Sequence, residues 1–451
     1  MKKLSSQALL WLEIIIKERF GHPLKLQYSE CNWLTIGLEG TNKLVSFDCL
    51  DDVFLQSFSD FKCEVWKASR EGFCAPIYDV LPAPSSRALS DPLIEFVDKG
   101  ALVHYDILGL TYWMLSRLEE VGRTDLDSHS RFPAVSSHAF KNNYLERPIV
   151  DEWLNILGKI IERVWPHLSL KQHQFCTHLS HDVDSPSLYA FKPWSTIGRM
   201  MIGDILKRHD FRAFATAPYV KLATRNQLHP IDPYNTFDWL MDLSEENGLK
   251  SAFYFICGQT DKMYDSDYTP EHPVIRKLLR RIYNRGHEIG LHPSYSTFNR
   301  PELIKKEAER LFQVCAEENI EQSQWGGRMH YLRWEQPTTL RAWDDAGMSY
   351  DTTMGYADRV GFRCGTCFEY PAFDPVKNKL LKLRIRPLIA MECTVIDDCY
   401  MGLGTGEQAL VKFCNLKDVC RLVNGEFTLL WHNSQFLSQL KRELYRDVLA
   451  C

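Results

Sequence analysis

The chain has 451 residues, 45% of them apolar and 25% charged. That is enough material for two or three globular domains and excludes a disordered or low-complexity protein. A formal net charge of −5 leaves no basic footprint, so nucleic acid is not an expected partner.

The start, Met1-Lys2-Lys3 followed by Ala8-Leu9-Leu10-Trp11-Leu12, mimics a secretion signal. Glu13 interrupts the apolar run, no small-residue cleavage site follows, and Lys17, Glu18 and Arg19 resume an amphipathic helix. No stretch reaches the ~18 uncharged apolar residues of a membrane span. Fourteen cysteines follow no framework spacing, which predicts reduced thiols and a cytoplasmic setting. Plentiful aromatic residues suit sugar binding, although large cores are the plainer reading.

Up to about residue 165, short β-like runs alternate with helices. Asp106 to Glu120 reads as a helix with an apolar face of Ile107, Leu108, Leu110, Leu115 and Leu118. A second helix begins at Trp153 and runs to about Trp165. Pro166 and the polar Lys171-Gln172-His173-Gln174 mark a boundary. The expected organisation is an α+β module over residues 1–168 and a larger α/β domain over residues 172–451.

In the second part, candidate strands lie at Phe175–Leu179, Ala252–Cys257, Glu288–His292 and Phe427–Trp431. Candidate helices lie at Pro233–Asn247, His272–Arg285, Arg300–Glu318 and Pro337–Ala346. This alternation predicts an α/β fold with parallel strands, open or closed into a barrel. Functional residues of such folds gather at the carboxyl ends of the strands. His181, Asp182, Asp184, His292 and His432 all fall at or just after a predicted strand end.

The most informative stretch is His181-Asp182-Val183-Asp184, read as the turn closing the strand that begins at Phe175. Of two carboxylates one residue apart, one can hold a metal while the other takes a proton from water. With Gly286-His287-Glu288-Ile289-Gly290-Leu291-His292-Pro293, the pattern points to a metal-assisted hydrolase. Each residue has a plainer reading beside this one. Asp182 is also a candidate helix cap, His292 a turn histidine, His287 a structural group and Arg328 an ordinary ion-pair partner. His432 is also a candidate core histidine, and Glu392, Asp397 and Asp398 are acidic candidates to support the site from behind its ligands, with a solvated loop as the plainer reading. Cys364-Gly365-Thr366-Cys367 lacks a second pair at matching spacing and reads as a loop rather than a redox motif.

Taken together, these motifs resemble the polysaccharide deacetylase family, the NodB-homology group of carbohydrate esterases (carbohydrate esterase 4-like). The family's Thr-Phe-Asp-Asp-Gly motif is matched by Ser180-His181-Asp182-Val183-Asp184. The Gly-His-Glu-Ile-Gly lead-in is matched by Gly286 to Gly290, the Arg-x-x-Tyr motif by Arg328-Met329-His330-Tyr331, and the final histidine motif by Leu430-Trp431-His432. The likeness covers roughly residues 175–435 and implies an irregular (β/α) barrel. Asp182 then matches the catalytic base, Arg328 the residue orienting it, and His432 the general acid. Asp184 and His292 match metal ligands. Val183 and Ser296 stand at two usual ligand positions, and His330 is assigned as the third ligand instead. The implied cofactor is a divalent metal, Zn²⁺ first, with Ni²⁺ or Co²⁺ as alternatives.

The first 165 residues, through Leu115-Ser116-Arg117-Leu118-Glu119-Glu120 and Arg131-Phe132-Pro133, look like an uncharacterised module that accompanies some bacterial members. The function implied is hydrolysis of an amide C–N bond. The substrate would be an N-acetylated sugar or a nucleotide- or lipid-linked glycan precursor in surface-polysaccharide metabolism. The rival readings are a hydrolase of a cyclic imide or ureide, and a catalytically silent barrel that binds glycan or scaffolds a biosynthetic complex.

Overall fold

The structure is a computed structural model and describes residues 3–451, so Met1 and Lys2 of the basic start lie outside the described residues. The predicted amphipathic helix forms at Ser6–Phe20. Ser5 caps it by accepting from the Ala8 amide, and Gly21 ends it at φ 81°, a left-handed turn suited to glycine. None of the described helices is long and apolar enough to cross a membrane.

Seven strands follow: β1 (Lys25–Tyr28), β2 (Leu34–Gly37), β3 (Leu44–Phe47), β4 (Cys63–Lys67), β5 (Val80–Pro84), β6 (Ile94–Val97) and β7 (Gly100–Val103). Five build a sheet in the order β1-β2-β3-β7-β6, while β4 and β5 pair with each other. The helices Ile107–Leu115 and Ile149–Val164 pack against each other, and the second also meets β3, β5 and β7. Asp106 is the cap of the first, accepting from the Gly109 amide. That helix is shorter than expected: Arg117 enters the left-handed region at φ 50°, and a single 3₁₀ turn at Leu118–Glu120 replaces its last turn.

The larger sheet contains β8 (Cys176–Val183), β9 (Ser251–Ile256), β10 (Glu288–His292), β11 (Gly326–Gly327), β12 (Tyr350–Asp351), β13 (Tyr370–Asp374), β14 (Lys379–Ile385), β15 (Ala390–Met391) and β16 (Glu426–Leu430). Their order is β13-β14-β12-β11-β10-β9-β8-β16-β15, and every pairing is parallel except that of β13 with β14. The four strands expected from sequence are the adjacent central ones. The expected helices form at Phe237–Glu246, Pro273–Asn284, Pro301–Glu317 and Thr338–Asp345. The fold is therefore mixed α/β with a parallel sheet.

Barrel closure, also expected, is not made by strand pairing among the described residues. Between β14 and β15 the chain makes single hydrogen bonds, Leu388 to Met354 and Ile389 to Thr428, in place of a ladder. A second difference lies in β8, which continues to Val183 rather than turning at His181. Its end is held by the Tyr268 hydroxyl, which donates to the Val183 carbonyl at 2.8 Å.

One continuous apolar core runs under both sheets. Trp11, fully buried, stacks on Phe373 of β13 at 4.9 Å and donates its indole N–H to the Pro371 carbonyl at 2.8 Å. Cys364 and Cys367 are buried in this core, where burial raises both thiols. Cys367 is bonded to Asp151, so the pair is structural, as the sequence indicated. The expectation of reduced thiols throughout does not hold, because Cys414 and Cys451 form a disulfide with their Cα atoms 5.9 Å apart.

Candidate active site

The site follows from the two-residue repeat of β8. Alternate side chains of a strand face opposite sides. Val183 is fully buried in the apolar layer, and His181 shares its side of the strand. The His181 Nδ1 donates to the Trp431 carbonyl at 2.7 Å, and its ring packs on Phe253 and Tyr445. Burial drives the His181 pKa down to about 4, as for a neutral core histidine. Ser180, Asp182 and, just past the strand, Asp184 take the other side. Val183 is thus excluded as a ligand by strand geometry.

Arg328, on the loop after β11, is fully buried and fixes Asp182. Its Nη1 donates to Asp182 Oδ1 at 2.7 Å, Nη2 to the Ser180 hydroxyl at 2.8 Å and to the Thr352 hydroxyl at 2.7 Å, and Nε to the Thr352 carbonyl at 2.9 Å. The planar guanidinium with four bonds leaves the carboxylate one orientation, its second oxygen turned toward His292 at 3.8 Å.

His292 ends β10. Its Nδ1 must be the donor to the Arg328 carbonyl, at 2.7 Å, which leaves the Nε2 lone pair directed at Asp184. Asp184 Oδ1 lies 3.2 Å from His292 Nε2 and 3.6 Å from His330 Nε2. His330 Nδ1 in turn lies 3.3 Å from Asp265 Oδ1. Asp265 is itself pinned by the amides of Thr260, Asp261 and Tyr295. A histidine whose far nitrogen is held by a carboxylate or carbonyl presents the other nitrogen in the form that binds metals.

Asp184 Oδ1 and His292 Nε2 are both buried, and neither makes an aligned hydrogen bond. Buried polar atoms are rarely left this way. With His330 they supply one carboxylate oxygen and two imidazole nitrogens within 4.8 Å of one another. This donor set fits a divalent cation with open positions for water or substrate. Ser296 is not part of this cluster; its amide bonds to the Thr260 hydroxyl at 2.9 Å.

Burial pushes the Asp184 carboxyl up. The charges of His330, His292 and His432 override this and hold it well below the usual carboxylate range. Burial likewise works against a charged His292, but Asp182 and Asp184 raise its pKa overall.

His432 follows β16, with Nε2 3.7 Å from Asp184 Oδ2. Its Nδ1 donates to Glu392 Oε1 at 2.5 Å, and its backbone amide donates to the same oxygen at 2.9 Å. Burial alone would lower the His432 pKa; the Glu392 carboxylate overrides it and holds the imidazole well above the ordinary histidine value. Of the two readings of Glu392, the solvated loop does not hold: the residue is fully buried just after β15 and bonded to His432. The strand-like run Ile389-Ala390-Met391 before it was the available signal. Asp265 had none, since its loop has no periodic pattern. His287 proves structural: its Nδ1 accepts the Ser251 amide at 3.1 Å.

A cavity of about 280 Å³ opens over these groups, bounded by Asp182, Asp184, His330, His432 and the rings of Tyr331 and Tyr400. The N-terminal region reaches its rim. Arg131 Nη1 donates to the Tyr331 carbonyl at 2.9 Å, and the His129 carbonyl accepts from Arg333 Nε at 2.7 Å. These bonds hold a strained turn, with Tyr331 at φ 61° and Leu332 at φ 54°, next to His330.

Residues 2–166 match the model of a family of unknown function, DUF7033. No curated protein matches the chain. Among solved structures, similarity is found to a protein assigned as a polysaccharide deacetylase in Mycobacterium smegmatis, with 15% identity, 62% of this chain and 84% of that chain covered, and a TM-score of 0.40. Puue allantoinase is similar at 12% identity and a TM-score of 0.35, with 62% and 84% covered. A probable polysaccharide deacetylase of Pseudomonas aeruginosa PAO1 is similar at 14% identity and a TM-score of 0.35, again with 62% and 84% covered.

Proposed function

We propose that this cleft hydrolyses an amide C–N bond with the help of a divalent cation, and that its substrate is an N-acetylated sugar or glycan precursor. One observation carries the reading. Two buried atoms without aligned hydrogen bonds, Asp184 Oδ1 and His292 Nε2, converge with His330 Nε2 beside a fixed carboxylate and a charged imidazole. A cation held by Asp184, His292 and His330, Zn²⁺ or else Ni²⁺ or Co²⁺, supplies positive charge beside a carbonyl oxygen and eases deprotonation of water.

The chain's own groups do the rest. Asp182, oriented by Arg328, accepts the proton of the attacking water. His432, kept protonated by Glu392, gives a proton to the departing nitrogen. His432 faces Asp184 Oδ2, while His292 and His330 face Oδ1. The rings of Tyr331 and Tyr400 offer apolar faces to a sugar.

The small cavity also favours a second substrate class, a cyclic imide or ureide. The proposal divides the chain into a module over residues 1–168 and a catalytic part over 172–451, each with its own main sheet.

The test is acetate release from a panel of N-acetylated sugars, run beside a panel of cyclic imides and ureides, on cation-loaded protein and its Asp182→Asn variant. Turnover lost in the variant supports hydrolysis, and the responding panel selects the substrate class. Silence on both panels with one cation bound overturns it. A chain that binds glycan but no cation is the silent scaffold.

A further inference from the structure

We propose a second cation site at the opposite end of β8, formed by Cys176, His178 and Glu426. Cys176 and His178 are two residues apart and so share one face of the strand with Ser180 and Asp182. Glu426 opens β16 and is in register with Cys176. The parallel pairing therefore brings a thiol, an imidazole and a carboxylate together at the end of the sheet where these strands begin. At about 3.3 Å per residue, the six steps from His178 to Asp184 separate the two sites by about 20 Å.

His178 and Glu426 stand at ion-pair distance, and the Cys176 sulfur converges on the same imidazole nitrogen. Cys176 Sγ lies 3.6 Å from His178 Nε2, and Glu426 Oε2 lies 3.2 Å from the same nitrogen. Nε2 can carry only one hydrogen. If it carries one, the sulfur and the carboxylate compete for it. If it carries none, its lone pair faces the carboxylate oxygen. A cation between the three satisfies all of them. Bond lengths of 2.0–2.3 Å at tetrahedral angles put ligand atoms roughly 3.3–3.6 Å apart, close to the spacing found here.

All three ligand atoms lie within 4.8 Å of one another. The Cys176 side is exposed, which leaves room for water as the fourth ligand. The nearby Arg386 is engaged by Glu369 at 2.9 Å and does not need the Glu426 carboxylate. Thiolate, imidazole and carboxylate together favour Zn²⁺. The cation would tie the start of β8 to the start of β16, the two strands whose far ends carry Asp182 and His432.

The sulfur makes the site separately visible. Reduced, metal-free protein is titrated with Co²⁺, and the thiolate-to-cobalt charge-transfer absorption in the near ultraviolet is followed. The expected result is a band that disappears in Cys176→Ser, that saturates by two equivalents when both sites fill, and that saturates at one equivalent in His292→Ala, where only this site remains. Glu426→Gln, which keeps the sulfur, should weaken the band-forming affinity at least about tenfold. No band up to millimolar cobalt overturns the site. So does a band that survives Cys176→Ser, which would come from another thiol such as Cys49 beside Asp48 and His104. Because the cluster at Asp184 contains no sulfur, failure here leaves the hydrolytic reading untouched, and the reverse also holds.

Discussion

Two buried clusters of charge can be set side by side. Around Arg117, every charge has a partner: Nε donates to Glu120 at 2.9 Å and Nη2 to Glu119 at 3.1 Å. Arg363 donates to both Glu120 oxygens, at 2.9 and 2.6 Å, and to the Gly355 carbonyl at 2.8 Å. Around Asp184 the groups range from fully buried to a third exposed, yet three buried atoms, Asp184 Oδ1, His292 Nε2 and Glu392 Oε2, lack an aligned bond. The first cluster completes itself and joins the N-terminal region to the loop after β12. The second is complete only with something added. Burial of charge alone therefore does not mark a site; burial with unmet valence does.

The sharpest way to separate the clusters is to remove the base without removing its bulk. Asp182→Asn should lower kcat about 10²–10⁴-fold while the unfolding midpoint hardly moves, since the amide still bonds Arg328. A variant with near-normal turnover would end the comparison.

Arg363→Met should do the opposite. Leaving Glu120 buried without this partner should cost about 3–5 kcal/mol of stability, read by denaturant titration, with turnover per folded molecule unchanged. A fall in turnover without loss of stability would mean that the first cluster is also functional.

Asp265→Asn loosens the orientation of His330 and should weaken cation affinity about 10–100-fold by calorimetric titration. An unchanged affinity would remove His330 from the ligand set.

The smallest effects are in pH. Glu120 is pushed up by burial but pulled down to about 2 by Arg363 and Arg117. Its contribution to stability should be fully present above the unfolded glutamate value of about 4.3 and lost as the pH falls toward 2. The raised pKa values of His292 and His432 should place both limbs of the turnover profile above about 6.5. The acid limb arises because a proton on His292 competes with the cation, and the alkaline limb because His432 loses the proton it donates. An alkaline limb below that value would remove His432 as the acid.

The central strands were legible because each is a compact apolar run between turn signals, and their carboxyl ends drew attention to Asp182, Asp184, His292 and His432. The extent of β8 was not, because His181-Asp182-Val183-Asp184 reads as polar when its two faces are averaged. Read alternately, it has one apolar side and one acidic side. The two-residue strands β11, β12 and β15 are too short to show a period, and they carry the loops with Arg328, Thr352 and Glu392. Asp265 reaches His330 from 65 positions away through a loop with no local signature, and only the folded chain reveals it.

The grip of His129 and Arg131 on the turn beside His330 has a further consequence. The early part of the polypeptide fastens the turn beside His330 as well as lying next to it. Grafting residues 172–451 onto a foreign leader, or expressing them by themselves, would release the turn at Tyr331. The cleft would then lose the hold on His330 before any of its own residues had been altered.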